Sequence, residues 1–559
     1  MRAAHRLPGA AAGGLSSRSH FRGGEENETA IWLNGLRLLD PFHIRDYHSI
    51  FSSIDANAIA GMEAYTGGFP ADYGDRTSGL LLLQSERPDE PRRTELGLGV
   101  YNTSALTTGY TEDARFEWLA SARRSNLDLV LSDDVGKPDY SDAFSELAWN
   151  PSDTTRLALN ALYADDSVVV TTESEPDELE QTRSDTRNTH LWLKLDHQHG
   201  PRLESSTVLA WSQLDATRNA VSMDEEQLVA DVRDVRDVEV YGLRQEWRWD
   251  ASDAHALRFG FEADHQQARY DYHAVAEYFG FYALYPTTPD ELVRVVRASP
   301  EGERYAVFLA DRWRIGDATT LDAGLRWDRQ TWTEPRFDDQ WSPRLSLRHE
   351  LSDATQLRLS WGRYHQSEGI HQLQVEDGLD RFFAPQEADH LIAALHHRFG
   401  KGLRLRVEVY RKDYDELRPR FENLLDPIPL IPELEPDRVR LDPSSARAEG
   451  VELTLDRRGE GPLEWWAHYA WSSANDTIDG ERQPRSWDQR HAFQAGAALE
   501  RGPWSFGAAF GVHSGWPTTD VFLVDEVPLF GPRNAAQLGT FYTLDFRIAR
   551  RFDVRIGEL

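Results

Sequence analysis

Strict alternation of apolar and polar residues, repeated in segments of about ten residues, constrains the fold of this chain more than any other feature. In TTLDAGLRWDRQ (319–330), one face carries Leu321, Ala323, Leu325 and Trp327. The opposite face carries Asp322, Gly324, Arg326 and Asp328. LRLRVEVYRKDY (403–414) alternates in the same way. A period of two is the side-chain period of a β-strand, so we predict about 19 strands after residue 94, each apolar on one face only.

The segments between these strands are of two kinds. Short polar turns lie at residues 150–153, 251–254, 316–318 and 352–354. Longer acidic or Pro-rich connections lie at residues 172–186, 271–302, 367–386 and 418–444. Short turns at one end and long loops at the other predict an up-and-down antiparallel meander.

The apolar face of such strands must contact either a second sheet or lipid. In a soluble protein, about 19 strands would form two or three β-sandwiches. However, no linker divides residues 94–559, and tryptophans lie near strand ends, as at Trp247, Trp249, Trp465 and Trp466. Strands that are apolar outside, charged inside and rimmed by Trp and Tyr are typical of transmembrane barrels, which also avoid open edges. We therefore favour an all-β fold with a large transmembrane antiparallel β-barrel at residues 91–559.

Composition limits the possible partners and cofactors. The chain has 559 residues and no cysteine, which excludes disulfides and thiolate metal sites. Its formal net charge of -32 argues against nucleic acid as a partner. Adjacent strand residues such as His396 and His397 point to opposite faces and cannot easily share an ion, so we expect no metal site and no cofactor.

An enzyme is not indicated either. With 93 Asp and Glu residues, carboxylate pairs at glycosidase spacing arise by chance. The pair Gly67-Gly68 is followed by neither the Lys nor the helix of a phosphate-binding loop.

Residues 1–90 do not follow the barrel pattern. TAIWLNGLRLLDPFHI predicts a strand, a turn at Asn34-Gly35, a short strand and a break at Pro41. SIDANAIAGMEAYTGG predicts a short helix capped near Ser53 or Asp55, then a strand. The unit is a partial, small α/β domain, and a barrel of about 20 strands is wide enough to need a plug in its lumen.

The same residues resemble the later part of the plug domain of TonB-dependent outer-membrane receptors. Leu7-Pro8-Gly9 opens the resemblance, and Ile59 and the stretch 67–79 continue it. The matching plug residues are Arg22, Gly23, Gly24, Asn34, Gly35, Glu63, Gly67, Gly68, Tyr73, Gly74, Arg76 and Gly79. In the barrel, ARAEGVELTL (446–455), PRSWDQRHAFQ (484–494) and GWPTT (515–519) resemble the family as well.

The resemblance implies an outer-membrane receptor that binds a scarce, bulky nutrient, such as a ferric siderophore, cobalamin or an oligosaccharide. TonB and its inner-membrane complex would move the plug, and outer-membrane lipid and lipopolysaccharide would surround the barrel. The alternative is a TonB-independent porin or a surface structural or binding barrel.

The ends of the chain depart from the family pattern. The first 20 residues have no apolar run of roughly 7–15 residues, so they do not resemble a signal peptide. A TonB-contacting segment is not present, and we count about 19 strands where the family barrel has 22. We therefore expect a fragment truncated at both ends, whose barrel lacks its last strands.

Two groups of residues are candidates for function. Arg22, Glu63 and Arg76 of the plug would form an ionic lock with Glu449 and Glu452, which are expected to face the lumen; ordinary solvation of the lumen is the alternative. Aromatic residues on long loops are where an extracellular ligand would first dock. The aromatic candidates are Tyr278, Phe279, Phe281, Tyr282, Phe382 and Phe383, and Arg381 is a candidate because it lies next to Phe382. Loop packing or lipopolysaccharide contact is the alternative for these.

Overall fold

One antiparallel sheet dominates the computed structural model of the chain. The structure describes residues 2–14, 16–46, 49–130, 138–173, 179–333, 339–400, 402–425, 429–459, 461–525 and 527–552. The sheet has 22 strands in the order of a closed barrel. Its strands are Arg92–Leu98, Asn102–Tyr110, Phe116–Ser125, Asp139–Ser152, Thr155–Glu173, Leu179–Gly200, Leu203–Asp224, Leu228–Asp250, His255–Tyr278, Glu291–Ala298, Glu301–Ile315, Thr319–Gln330, Gln340–Ser352, Thr355–Gln366, Gln386–Arg398, Leu403–Asp415, Ser445–Arg457, Leu463–Ile478, Glu481–Pro484, His491–Arg501, Trp504–His513 and Phe541–Arg550.

The predicted count of about 19 strands is therefore too low. In two places, two consecutive strands occupy one position in the wall, because both pair with successive stretches of the same neighbouring strand. That neighbour is His255–Tyr278 in the first case and Leu463–Ile478 in the second. The consecutive strands are Glu291–Ala298 with Glu301–Ile315, and Glu481–Pro484 with His491–Arg501.

Several strands extend well beyond the thickness of a membrane. His255–Tyr278 has 24 residues, whereas about 9–11 residues span the bilayer. Consequently, much of the predicted loops 172–186 and 271–302 is strand instead. These extensions build a wall above the membrane at the end that carries the long loops.

The barrel wall has its apolar side chains on the outer, exposed face and its charged side chains on the inner face, the reverse of a soluble protein. In Thr319–Gln330, Arg326 and Asp328 are buried inside, whereas Leu325 is 45% exposed on the outside. Leu391 and Val409 are likewise exposed outward. Apolar side chains outside and charged side chains inside confirm the transmembrane barrel.

The first and last strands of the sheet meet at its seam. Nearly every residue of Phe541–Arg550 is exposed, and Arg92–Leu98 is exposed or half-buried throughout. The strand order of the closed barrel places these two strands next to each other, and each also pairs in register with its other neighbour. Both strands at the seam therefore have mostly exposed side chains.

The N-terminal residues form a plug inside the barrel. Its sheet has the order Leu36–Arg37, Thr29–Leu33, Gly79–Ser85, Ile59–Tyr65, and two short pairs flank it, Ala10–Ala11 with His20–Phe21 and Phe42–His43 with Phe51–Ser52. Short 3-10 helices are Arg2–Arg6, Glu26–Glu28 and Ala56–Ala58. The predicted Asn34-Gly35 turn is present, and the carboxylate of Asp55 caps the third helix by accepting from the backbone N–H of Asn57.

An apolar cluster joins the plug to the lumen side of the wall. Leu33, Leu81 and Leu83 of the plug pack with Phe144 and Trp192 of the barrel. No helix in the described part of the chain is both long and apolar enough to cross a membrane.

Short elements also lie in the long loops. The α-helices there are Leu127–Val130 and Gly280–Ala283, and the 3-10 helices are Val375–Asp377 and Pro432–Leu434. Three small hairpins or strand pairs accompany them: Arg420–Asn423 with Arg438–Leu441, Pro517–Thr518 with Ala536–Gln537, and Val521–Val524 with Val527–Phe530.

Candidate functional site

The Gly-rich segment 67–79 of the plug forms a tight turn that leads into the strand Gly79–Ser85. Gly68 has a φ of 65°, a conformation that L side chains rarely adopt. At Gly74, a Cβ atom would lie 2.0 Å from Nε of Arg326 in the barrel wall. Glycine at position 74 therefore lets the plug backbone approach the wall closely.

Three barrel arginines hold this segment by its backbone, and we call Arg244, Arg326 and Arg344 the arginine clamp. Nη1 of Arg344 donates to the carbonyl oxygen of Tyr73 at 2.6 Å. Nη2 of Arg244 and Nη1 of Arg326 donate to the carbonyl oxygen of Asp72, at 3.0 and 3.4 Å. Because the donors are ionised, these hydrogen bonds are stronger than neutral ones.

Carboxylates balance part of the charge of the arginine clamp. Oε2 of Glu262 lies 3.3 Å from Nη2 of Arg326, and Glu262 also accepts from Arg244. Asp328 accepts from Nε of Arg326 at 2.8 Å. Within the described residues, Arg344 has no carboxylate at ion-pair distance, so its charge is directed at the plug carbonyls.

Side chains of the same segment contact further charges. Oδ2 of Asp72 accepts from Nη1 of Arg258 at 3.0 Å, and Oδ2 of Asp75 lies 3.5 Å from Nη1 of Arg304. Asp75 also accepts from the hydroxyl of Ser367, at the start of the loop 367–386, at 2.6 Å. The segment is thus connected both to the barrel wall and to a loop at the mouth.

Arg22 forms a second contact region with the wall. Its Nε donates to Oε1 of Glu452 at 2.8 Å and its Nη2 to Oε2 of Glu452 at 2.7 Å. Nη2 also donates to Glu408, and all three side chains are buried. Gly9 of the Leu7-Pro8-Gly9 motif lies against this pair, because a Cβ atom there would be 2.2 Å from Oε1 of Glu452. We call Arg22, Glu408 and Glu452 the Arg22 lock.

The other predicted members of the lock lie elsewhere. Glu449 does not face the lumen: in Ser445–Arg457 the buried positions are the even-numbered ones, and Glu452 and Glu449 therefore lie on opposite faces. Glu63 is exposed and accepts from the hydroxyl of Tyr65 at 2.5 Å. In the described part of the chain, Glu63 pairs with no barrel cation and Arg76 pairs with no barrel carboxylate; the carboxylate of Asp75 lies 3.6 Å from Nη1 of Arg76.

The Arg-Gly-Gly motif packs against the segment PRSWDQRHAFQ. Gly23 has a φ of 77°, and a Cβ atom there would lie 2.7 Å from the Cβ of both Ala448 and Ala474. Its carbonyl oxygen accepts from Nη1 of Arg485 at 2.8 Å and from Nε1 of Trp487 at 3.0 Å. Two motifs that resemble the family are therefore in direct contact.

A buried histidine forms a third contact between plug and wall. Nε2 of His43 lies 3.0 Å from Oδ2 of Asp142, and Nδ1 contacts Asp166. Burial alone would lower the pKa of His43, but the hydrogen bonds and charges of both carboxylates outweigh it and raise the pKa. Arg123 neutralises Asp142 from the other side, with Nη2 2.8 Å from Oδ2.

Sequence reasoning missed most of the wall side of these contacts. Alternation in 319–330 and 403–414 places Arg326 and Glu408 on the polar faces of their strands, but nothing in the sequence pairs either with the plug. Asp142 and Asp166 were not singled out. The sequence signal for these residues is the alternation of faces along each strand. It identifies the residues that face the lumen but not their height in the barrel.

Loops fold into the mouth of the barrel and form an apolar cluster there. Its loop members are Ile370, Leu373, Val375, Phe382, Ile431 and Leu434. The hydroxyl of Tyr270 donates to the carbonyl oxygen of Ile370 at 2.6 Å, and Glu433 pairs with Arg218 of the wall. The mouth is therefore closed by anchored loops.

The seven predicted ligand residues divide into two groups at this mouth. Tyr278 and Phe382 are buried in the apolar cluster, and Tyr282 packs against it while donating to Glu435. Exposed residues are Phe279, Phe281 and Arg381, and Phe383 is half-buried. Only the exposed group is available to a molecule arriving from outside.

Two cavities lie on opposite sides of the plug sheet. The larger, about 1130 Å³, opens toward the short turns and is lined by Asn34, Glu63 and Arg156 among other polar residues. The smaller, about 230 Å³, lies beneath the loop 367–386 and includes Arg76 and Arg236. In the described residues, no group of three or more His, Asp or Glu is placed to hold a metal ion.

Two family models match the chain. The model described as "TonB-dependent Receptor Plug Domain" matches residues 2–80. The model described as "TonB dependent receptor-like, beta-barrel" matches residues 64–557. No curated protein sequence is significantly similar to the chain.

Solved structures share the fold at low sequence identity. The ferric citrate transporter FecA, unliganded, has a TM-score of 0.70 at 12% identity, covering 100% of this chain and 87% of that one. The FrpB iron transporter from Neisseria meningitidis (F3-3 variant) has a TM-score of 0.70 at 13% identity, covering 99% and 89%. The outer membrane transporter YddB from Escherichia coli has a TM-score of 0.67 at 11% identity, covering 95% and 85%.

Proposed function

The chain belongs to the family of TonB-dependent receptors, which are outer-membrane transporters and not enzymes, and from that premise we propose that it imports a scarce, bulky nutrient by TonB-coupled movement of its plug. A ferric siderophore, cobalamin and an oligosaccharide are the candidate ligand classes. The ligand would bind at the mouth, and TonB with its inner-membrane complex would pull on the plug from the periplasm.

The observation that carries this proposal is the occupied lumen. The plug lies inside the barrel, where it contacts the wall through the arginine clamp, the Arg22 lock and His43. A large ligand cannot pass until some of these contacts break. These three contacts are hydrogen bonds and ion pairs, which water can replace when the plug moves; the apolar cluster of Leu83 with Phe144 and Trp192 would have to separate as well.

The mouth supports binding before transport. Loops anchored by Tyr270 and Arg218 cover the plug, while Phe279, Phe281 and Arg381 remain exposed on the outer side. Exposed aromatic and charged groups on a rigid rim suit initial capture of a ligand. Outer-membrane lipid and lipopolysaccharide would contact the exposed apolar face of the wall.

Uptake in cells that carry the full-length gene tests the proposal. Growth on each candidate nutrient is compared between the wild type, a deletion strain, and a strain with the gene intact but TonB inactivated. The proposal expects growth only when both proteins function. Uptake that persists without TonB would favour a passive porin, and binding of labelled ligand without uptake would favour a surface binding barrel.

A further inference from the structure

The smaller cavity, between the plug and the loop 367–386, has more cationic than anionic side chains in its lining. The arginines are Arg18, Arg45, Arg76 and Arg236, and the carboxylates are Asp40, Glu26 and Glu376. This excess is opposite in sign to the chain as a whole, whose net charge is -32. A cationic cavity in an acidic protein concentrates anions.

Two carboxylates in and beside the cavity are each shared by more than one arginine. Arg18 and Arg45 both pair with Asp40. Arg37 and Arg76 both pair with Asp75, Arg37 at 2.6 Å and Arg76 at 3.6 Å. Arg45 also lies 3.8 Å from Asp46, and Arg236 pairs with Asp234 and Glu376, so these two arginines have carboxylates of their own. Asp75 is shared with Arg304 as well, so Arg76 has no carboxylate to itself.

Arg76 carries the clearest sign of a missing partner. It is 6% exposed, its Nη1 donates to the backbone carbonyl of Asp75 at 2.6 Å, and its Nε has no hydrogen-bond partner. An unsatisfied buried donor costs about 1–3 kcal/mol. Burial and the charge of Arg37 both lower the pKa of Arg76, and burial and the charge of Arg76 lower the pKa of His371.

We propose that this cavity binds an oxyanion group, carboxylate or phosphate, of the imported ligand, with Arg76 as its central donor. The guanidinium group offers paired N–H donors that match a carboxylate or phosphate in geometry. A volume of about 230 Å³ admits a small anion or one anionic arm of a larger molecule. This inference rests on the proposed function and adds the chemical class of the ligand.

Arg76, which lines the cavity, belongs to the segment 67–79 that the arginine clamp holds. Asp75 connects Arg76 to Ser367 of the covering loop and to Arg304 of the wall. An anion bound to Arg76 would compete with Asp75 for its guanidinium group. Occupancy would therefore alter the contacts of the segment that the arginine clamp holds.

Binding of citrate and of inorganic phosphate to the detergent-solubilised full-length protein tests the proposal, with thermal unfolding as the readout. Ligand that binds only the folded state raises Tm in a concentration-dependent way. We expect one of the two anions to raise Tm; citrate alone would indicate a carboxylate site and phosphate alone a phosphate site. Failure of both to shift Tm would overturn the inference.

Three variants make the test specific. Arg76→Gln is expected to weaken binding about tenfold or more, because a charge-assisted donor pair is lost. Arg76→Lys keeps the positive charge and should weaken anion binding less than Arg76→Gln does. Arg440→Gln is the matched control, because Arg440 is exposed on an outer loop, where its only partner within the described residues is Asp442.

The ligand-free stability of Arg76→Gln separates a binding role from a structural one. If Arg76 serves binding, removing a buried cation that has no carboxylate to itself leaves Tm unchanged or raises it. A lower Tm than wild type would make Arg76 a structural residue and overturn the inference. Uptake that is independent of TonB would contradict the proposed function alone, since this binding requires no energy source.

Discussion

The plug is held by two contact regions that are built in opposite ways. In the Arg22 lock, the plug supplies one cation and the wall supplies the carboxylates of Glu408 and Glu452. In the arginine clamp, the wall supplies several cations and the plug supplies mainly backbone carbonyl groups. The lock therefore depends on a single side chain, whereas the clamp is shared among several.

This difference indicates distinct roles during transport. A contact that depends on one buried ion pair breaks in a single step, because losing one partner leaves the other charge buried and alone. A contact shared among several donors loosens gradually as each hydrogen bond is exchanged for water. We infer that the lock sets whether the plug moves, and the clamp sets how far segment 67–79 follows.

The largest effect is expected for Arg22→Met. The change leaves Glu452 buried with no cation at ion-pair distance among the described residues, which typically costs about 3–5 kcal/mol. Local opening of the plug, measured by hydrogen exchange in segments 7–24 and 67–79, should rise, and cells should become sensitive to vancomycin. Wild-type exchange and unchanged vancomycin sensitivity would show that the lock does not hold the plug.

The double variant Arg22→Met with Glu452→Gln is the control for that experiment. Neutralising the second partner removes the uncompensated charge, so most of the lost stability should return. Glu449→Gln should have no effect, because Glu449 lies on the outer face of the wall.

An intermediate effect is expected for Arg344→Met in the clamp. The variant loses charge-assisted hydrogen bonds to the carbonyl groups of Phe69 and Tyr73 but leaves no carboxylate unpaired. We expect a loss of about 2 kcal/mol, since a hydrogen bond from a charged group contributes about 1.5–3 kcal/mol. Hydrogen exchange should increase in segment 67–79 while segment 7–24 stays protected. Equal increases in both would contradict independent regions.

The sequence predicted the faces of the wall better than the partners across it. Period-two alternation places Arg326 and Asp328 on the inner face, and the structure agrees. The same rule should have separated Glu449 from Glu452, because three positions along a strand change the face. In contrast, the contact of Arg326 with Glu262 depends on the registers of their two strands against the strand between them, Glu301–Ile315, and alternation does not determine a register.

The plug was predictable for a different reason. Its turn at Asn34-Gly35 and its capped helix at Asp55 are local features, set by residues within a few positions of one another. The lack of a separate carboxylate for Arg76 was not predictable, because it follows from the pairing of Asp75 with both Arg37 and Arg304 in the folded protein.

A smaller effect is expected from pH at His43. Its pKa is raised in the folded protein, so its contribution to stability is complete below the unfolded pKa of about 6.5 and is lost as pH rises through the folded value. Plug opening should increase with pH, because the neutral imidazole of His43 has one N–H donor and can donate to only one of Asp142 and Asp166. The measurement is the permeability of cells to vancomycin as pH rises from below about 6.5 through the folded pKa of His43. His43→Asn should abolish the pH dependence; its persistence would assign the effect to another group.

The smallest effect is expected for Asp72→Asn, which separates the side chains of segment 67–79 from its backbone. Oδ2 of Asp72 accepts from Nη1 of Arg258 at 3.0 Å; Asp72 is buried and Arg258 is half-buried. The amide oxygen of Asn can accept the same hydrogen bond and Arg258 still reaches water, so the substitution leaves no buried donor unpaired and should cost about 1 kcal/mol or less. The carbonyl oxygen of Asp72, which the clamp holds, is unchanged by the substitution. Hydrogen exchange in segment 67–79 should therefore remain within about 1 kcal/mol of wild type. A loss as large as that of Arg344→Met would mean that the plug is held there by side-chain charge, and that the two contact regions do not differ in the way proposed.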